Sequence, residues 1–160
     1  MPDITIRAAR PGDAAAIRAI VASSWRDVYF AIAGEEGLAR LEADFLNDGA
    51  FRALCADSAL AMPLGFVGGL AAGTALASGA DGVISVSRLY VRAAARGQGL
   101  GAALLGDVAR SFPALRRMRL TVQRDNDAAF RFYRREGFRE AGTVSETLAG
   151  VTFHNRVLER

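Results

Sequence analysis

The sequence predicts a mixed α/β (α+β) fold in one domain, residues 1–160, and three observations carry that prediction. A chain of 160 residues is long enough to bury a core of its own. Hydrophobic residues make up 51% and charged residues 23%, the balance of a folded globule rather than a disordered tail. Segments of two-residue apolar alternation are interleaved with segments of helical spacing, in the order βααββ, βα, βα, ββ. No internal repeat, low-complexity tract or linker interrupts them.

The elements follow in chain order. "ITIRAA" (Ile4–Ala9) alternates as a strand; "RPGD" breaks it, and Asp13 caps a helix starting at "AAAIRAIVASSW", where Ile17, Ile20 and Val21 recur at helical spacing. A second helix is expected over Glu35–Leu46, between Gly34 and the turn residues "NDG". "FRALCA" (Phe51–Ala56), "LGFVGGL" (Leu64–Leu70) and "GVISVSRLYV" (Gly82–Val91) read as strands. "LGAALLGDVARSF" (Leu100–Phe112) is helical and is stopped by Pro113. "RMRLTV" (Arg117–Val122) is a strand. A short helix follows, capped by Asp125 or Asn126, with Gly137 past its end. "FREAGTVS" and "GVTFHNRVLE" complete the sheet.

Composition excludes several classes of function. The single cysteine, Cys55, forms no internal disulfide and lacks the companions of a zinc site, so no metal is expected and a reducing cytoplasm is the expected setting. The net charge is +3, and every one of the 20 basic residues is arginine; they alternate with acids instead of forming a basic arm, which argues against nucleic acid. "MPDITIRAAR" carries charge at Asp3 and Arg7 and does not read as a signal peptide. Ser58–Ala80 has no charge and is long enough to span a bilayer, with a GxxxG at Gly69 and Gly73. Pro63, the many small residues and the acidic flanks Asp57 and Asp81 favour two buried strands joined by a turn. No membrane partner is expected.

"RGQGLG" (Arg96–Gly101), between an apolar strand and a helix, is the most informative stretch. Glycines at this spacing admit close backbone approach, and a helix N-terminus favours an anion. A nucleotide P-loop would need four residues between its glycines and then Lys-Ser or Lys-Thr, which are absent. The dinucleotide pattern G-x-G-x-x-G/A is met by Gly97, Gly99 and Ala102, with Asp125 as a ribose acid. However, "RAAAR" separates the strand from the first glycine, and no second mononucleotide half follows. The remaining reading is R-x-x-G-x-G, from Arg96, Gly99 and Gly101, whose backbone N–H groups cradle a pyrophosphate.

With its flanks, this stretch resembles the GNAT superfamily of N-acetyltransferases, which bind acetyl-CoA. "LYVRAAARGQGLGAALL" is similar to the family's fourth strand, pyrophosphate loop and third helix. "LTVQRDNDAAFRFYRREGF" is similar to its fifth strand and fourth helix, with Asn126, Ala129, Tyr133, Gly137 and Phe138 in place. "ITIRAARPGDAAAIRAI" resembles its first strand and helix. The resemblance implies a central, mostly antiparallel sheet with splayed fourth and fifth strands and about four helices. It also implies a single GNAT domain and transfer of acetyl from acetyl-CoA, as co-substrate, to a primary amine by direct attack.

Residue by residue, the resemblance implies that the strand Leu89, Tyr90 and Val91 holds the pantetheine arm, through the backbone of Leu89 and Val91. Arg96, Gly97, Gln98, Gly99, Leu100 and Gly101 cradle the pyrophosphate. Asn126 lies beside the cofactor, caps its helix, or does both. Tyr133 protonates the leaving thiolate, whose conjugate acid has a pKa of ~8.5 against ~10 for a phenol. It also implies a small-molecule or peptide amine as acceptor, and allows a homodimer. Many relatives carry a glutamate on the fourth strand as base; here Ser85, Ser87 and Arg88 stand there, which leaves the base undefined. Glu35 and Glu36 face the cleft or simply start a helix. Trp25 and Tyr29 line the acceptor pocket or pack in the core. His154 reads as structural or surface before it reads as a base. A non-catalytic acyl-CoA-binding or regulatory module on the same fold is the alternative.

Overall fold

The computed structural model describes residues 2–160. Its eight strands are β1 (Ile4–Ala8), β2 (Leu60–Ala61), β3 (Pro63–Val67), β4 (Leu70–Ala80), β5 (Val83–Val91), β6 (Arg117–Gln123), β7 (Arg139–Leu148) and β8 (Val151–Glu159). The helices are α1 (Ala14–Phe45), α2 (Asp48–Ala56), α3 (Leu100–Ser111) and α4 (Asp127–Arg135). The strands lie in the order β1-β3-β4-β5-β6-β8-β7, with β2 also paired to β4. Every pairing is antiparallel except β5 with β6. This is the mixed, mostly antiparallel sheet the resemblance implies.

The sheet is covered on both faces. On one, Ile17, Ile20, Val21, Trp25, Leu38 and Leu41 of α1 and Phe51 of α2 pack on Met62, Leu64, Leu76 and Phe153. On the other, Leu105 and Val108 of α3 and Tyr133 of α4 pack on Ile84, Val86, Met118, Leu120, Val122 and Leu158. At β1, Arg7 holds the Asp13 carboxylate through two bonds of 2.7 and 2.9 Å, and with the Arg10 N–H this lowers the Asp13 pKa to about 2.

Several expectations shift. The two expected N-terminal helices run on as one assigned helix, broken at Gly34 (φ 68°, ψ 179°), where the sequence places their boundary. Phe51–Ala56 is not a strand but part of α2. Phe51, Leu54 and Cys55 recur at helical spacing and all meet the same core, and Asn47 caps the helix by accepting a 2.7 Å bond from the Ala50 N–H. The strand expected over Leu64–Leu70 stops at Val67, because Gly68 and Gly69 (φ 57° and 80°) turn the chain into β4.

The uncharged stretch Ser58–Ala80 forms three strands where two were expected, because the two-residue β2 pairs with the far end of β4 ahead of the β3–β4 hairpin. Among the described residues no helix is long and apolar enough to cross a membrane. Gly73 within this stretch has a packing reason. A Cβ on Gly73 would stand 3.0 Å from Leu100 Cδ2, 3.1 Å from Leu104 Cδ1 and 3.0 Å from the Tyr90 carbonyl oxygen. The missing side chain lets α3 seat Leu100 and Leu104 directly on the sheet. Gly73→Val is expected to destabilise the fold by about 2 kcal/mol through overpacking, read by urea denaturation; an unchanged midpoint would mean that α3 has slack here.

Candidate active site

The site begins where two strands part. β5 and β6 pair in parallel only from Val83↔Arg117 to Val86↔Leu120, although both strands continue further. At the same point β5 carries a bulge: Ala77 faces Val86 and Leu76 faces Arg88, which leaves Ser87 as the extra residue, its hydroxyl donating to the Leu76 carbonyl at 3.2 Å. The bulge reverses the facing of side chains. Ile84 and Val86 point to the α3/α4 layer, whereas Tyr90 beyond the bulge packs with the α1/α2 layer. A depression of about 240 Å³ opens at the fork, lined by Ser85, Ser87, Arg119 and Thr121 with the backbone of Val86 and Leu120 as floor. No carboxylate lines it.

Backbone direction follows from the pairing. The Arg92 N–H donates to Ala72 on β4 at 2.8 Å, so strand alternation turns Tyr90 toward β4 as well and leaves the peptide groups of Leu89 and Val91 facing the gap. Arg96 Nε occupies the Val91 carbonyl at 3.1 Å. The Leu89 N–H and C=O and the Val91 N–H therefore offer an unpaired strand edge to an extended ligand. Tyr90, expected in the cofactor strand, keeps its backbone on β4 and lends its side chain to the α1 face.

The glycine loop closes one end of the gap. After a turn of 3₁₀ helix (Ala93–Ala95), Gly97 (φ 74°) and Gly99 (φ 90°, ψ 0°) take left-handed conformations, and α3 starts at Leu100. The first intrahelical bond there runs from the Ala103 N–H to Gly99, which leaves the N–H groups of Leu100, Gly101 and Ala102 as free donors at a helix N-terminus. Nothing within 4 Å would touch a Cβ on Gly97, so its positive φ, not crowding inside the chain, explains that glycine. Gly101 differs: a Cβ there would stand 3.0 Å from Phe132 Cζ, so this glycine brings α3 against α4. The side chains of Arg96 and Gln98 brace the loop. Arg96 pairs with Asp27 of α1 at 3.1 Å, and Gln98 donates to the Ala94 carbonyl at 3.0 Å. An anion at this loop meets backbone donors first. Asn126 caps α4 through a 3.2 Å bond from the Ala129 N–H.

Tyr133 is 7% exposed and lies edge-on to Phe132 and Phe138, with ring centroids 5.0 and 5.4 Å away. Burial raises its pKa, and the Tyr90 phenol adds to the effect. Burial likewise raises Tyr90 and Tyr29. The Tyr90 hydroxyl accepts a 2.8 Å bond from Trp25 Nε1, and Tyr29 stacks edge-on to Trp25 at 6.1 Å and to Phe153 at 5.1 Å. Trp25, Tyr29 and Tyr90 thus gather on the α1/α2 face of the sheet, whereas Tyr133 packs on the α3/α4 face. Each phenol keeps its proton at neutral pH.

The remaining expected residues separate clearly. Glu35 and Glu36 are exposed and paired with Arg26 (3.3 Å) and Arg40 (3.2 Å), which is the helix-surface role. Arg88 lies with its guanidinium 5.3 Å above the Phe51 ring, directed at α2. His154 bonds Ser145 through Nδ1 at 2.8 Å and lines a shallow depression with Arg124, Thr143 and Arg156, on the α4 side of the hairpin and opposite to Phe153. Cys55 packs on Met62 Sδ at 3.9 Å, beneath α2 and away from the fork. Two polar residues buried around the strand ends have no strong sequence signal: Gln123, which accepts the Asp125 N–H at 2.6 Å, and Asn155 beside it on β8.

A strand fork with a bulged edge and a left-handed glycine turn opening a helix, on a mostly antiparallel sheet covered by helices on both faces, define an acyl-CoA N-acyltransferase fold. The family model for acetyltransferase (GNAT) matches residues 17–138, and the chain belongs to that family. The chain is similar to the PaiA N-acetyltransferase of Thermoplasma acidophilum, solved in complex with coenzyme A, at 20% identity and a TM-score of 0.81, covering 99% of this chain and 98% of that one. It is also similar to a GCN5-related N-acetyltransferase from Rhodopseudomonas palustris (18% identity, TM-score 0.76, 100% and 95% covered). A third is the ribosomal-protein-S18-alanine N-acetyltransferase of Escherichia coli (17%, 0.69, 98% and 92%). No curated protein sequence matches significantly. The strands that family convention counts fourth and fifth are β5 and β6 here.

Proposed function

We propose that the protein is a cytoplasmic N-acetyltransferase that moves an acetyl group from acetyl-CoA to a primary amine by direct attack. The fork between β5 and β6, with the Leu89 and Val91 peptides unpaired at its β5 edge and Tyr133 of α4 in the same packing cluster as Leu89, carries this reading. Leu89 and Val91 receive the pantetheine arm as an added strand, while Gly97, Gly99 and the free N–H groups of Leu100 and Gly101 hold the pyrophosphate. That the solved PaiA relative carries coenzyme A supports this.

Bound acetyl-CoA supplies the activated acetyl thioester. The Leu89 N–H faces its carbonyl oxygen and stabilises the charge that gathers there. The amine nitrogen bonds to the carbonyl carbon as the carbon–sulfur bond breaks, one amine proton leaves to solvent, and Tyr133 gives its phenolic proton to the sulfur. Tyr133 is then reprotonated from solvent, leaving an amide and a free thiol. No thiol stands at the fork to form an acyl-enzyme, because Cys55 packs beneath α2. Neither a metal nor a nucleic acid enters this reading.

Calorimetric titration with acetyl-CoA, and with NADH as control, is the first test. Binding of acetyl-CoA alone, followed by amine-dependent thiol release, is expected. Binding without release for any amine would favour the non-catalytic module, and binding of NADH alone would restore the dinucleotide reading.

A further inference from the structure

The fork carries no acid, yet an acceptor amine arrives largely as an ammonium ion, and the fold places one carboxylate where it can receive it. Glu146 lies on β7, directly opposite Phe153 of β8, and the ring of Phe153 is the one on which Tyr29 stacks at 5.1 Å. Asn155, the next inward-facing residue on β8, is 8% exposed and points Nδ2 at Glu146 Oε1, 3.5 Å away. The carboxylate has no cationic partner among the described residues, whereas Glu36 on α1 and Glu140 at the start of β7 are taken by Arg40 at 3.2 Å and Arg156 at 4.0 Å. Val144 and Leu148 flank it on the same face of the strand and are 43% and 36% exposed.

We infer that Glu146, backed by Asn155 and set beside Phe153 with Tyr29 stacked on it, is the recognition site for an ammonium group on the acceptor, carried on an apolar carbon chain. The inference rests on the acetyl-transfer reading for its purpose but not for its geometry. A carboxylate supplies the charge, ring faces attract a cation beside them, and Val144 and Leu148 cover the adjoining methylenes. The site belongs to the same surface as the fork, because a row of groups joins them. Phe153, opposite Glu146, stacks on Tyr29 at 5.1 Å, Tyr29 stacks on Trp25 at 6.1 Å, and Trp25 Nε1 donates at 2.8 Å to the hydroxyl of Tyr90, which lies on β5 between Leu89 and Val91. Glu146 thus stands at one end of a line whose other end is the β5 edge of the fork. The aromatic rings and the carboxylate come from α1, β5 and the β7–β8 hairpin, so no single segment shows the site.

The chain has one tryptophan, Trp25, inside this cluster, which makes ammonium binding visible without turnover. Free protein and protein saturated with CoA are titrated with spermidine and with a tripeptide amide bearing a free α-amine, following Trp25 emission. 4-Ethylaniline, uncharged at neutral pH, is the neutral probe, and Glu36→Gln is the control for loss of an acid elsewhere on α1. Glu146→Gln is expected to weaken ammonium binding about tenfold or more while leaving 4-ethylaniline and CoA unaffected, and Glu36→Gln to change nothing. Preference for spermidine identifies a polyamine-like acceptor and preference for the tripeptide a peptide N-terminus; either supports the site. No response to either ammonium, equal affinity in wild type and Glu146→Gln, or equal losses for the charged and neutral probes overturns it. Ammonium binding that depends on Glu146, without acetyl transfer to any amine, would leave this site standing and remove the transferase reading instead.

Discussion

Tyr133→Phe is expected to lower the rate of acetyl transfer by about 10²- to 10³-fold while changing acetyl-CoA affinity by less than about twofold, the loss typical of removing a positioned general acid. The substitution isolates chemistry from folding. The Tyr133 hydroxyl has no hydrogen-bond partner among the described residues, and its ring keeps its contacts with Phe132 and Phe138 when only the oxygen is removed. Its buried phenol is held protonated well above neutrality, so the acid form is present at every working pH. Thiol release under saturating acetyl-CoA, with calorimetry on the same samples, checks both halves. Equal rates for wild type and variant from pH 6 to 9 would remove Tyr133 from the chemistry and make water the proton donor.

Gly99→Val is expected to weaken acetyl-CoA binding at least tenfold. Gly99 sits at φ 90°, ψ 0° as the N-cap of α3, a conformation that a β-branched residue adopts only at a cost of about 1–3 kcal/mol. Relief comes by rotating φ to negative values, which swings the loop N–H groups away from any anion they face. Space is not the cause, since the nearest atom to a Cβ there is Ile4 Cδ1 at 4.0 Å. Acetyl-pantetheine, which lacks the pyrophosphate, separates the loop from general damage: its KM is expected to stay unchanged in the variant. A matching rise for both substrates would mean that the loop supports the fold and not the phosphates.

Much of the architecture was legible because its signals are local. Alternation marked β1, β5 and β6, helical spacing marked the start of α1 and α3, and Asn126 and Gly137 bracketed α4. The glycine loop was legible for the same reason: backbone sterics at Gly97 and Gly99 act within one residue. "FRALCA" misled because a short apolar run suits either a strand or a buried helix, and only its docking against Met62 and the α1 core decided for α2. The proposed acceptor side was the least legible. Tyr29, Tyr90 and Glu146 lie far apart along the chain, and no short pattern joins them. His154 stood out as the lone histidine, yet pairing with Ser145 turned it to the other side of the sheet.

What the sequence by itself determined is most of the elements and their order, the glycine turn that opens α3 and the family motifs around Arg96–Gly101 and Asn126–Phe138. These depend on steric preference, capping and periodicity over a few residues, and any chain carrying them keeps them. What only the tertiary structure decided is where β5 leaves β6, which backbone groups remain unpaired in the gap, and which side chains meet across it. Those depend on register between distant strands, and one extra residue at Ser87 reverses the facing of Arg88 and Tyr90 relative to Ile84 and Val86. A one-residue change of that kind leaves no mark in local composition, because the competition it settles is between whole pairings of strands.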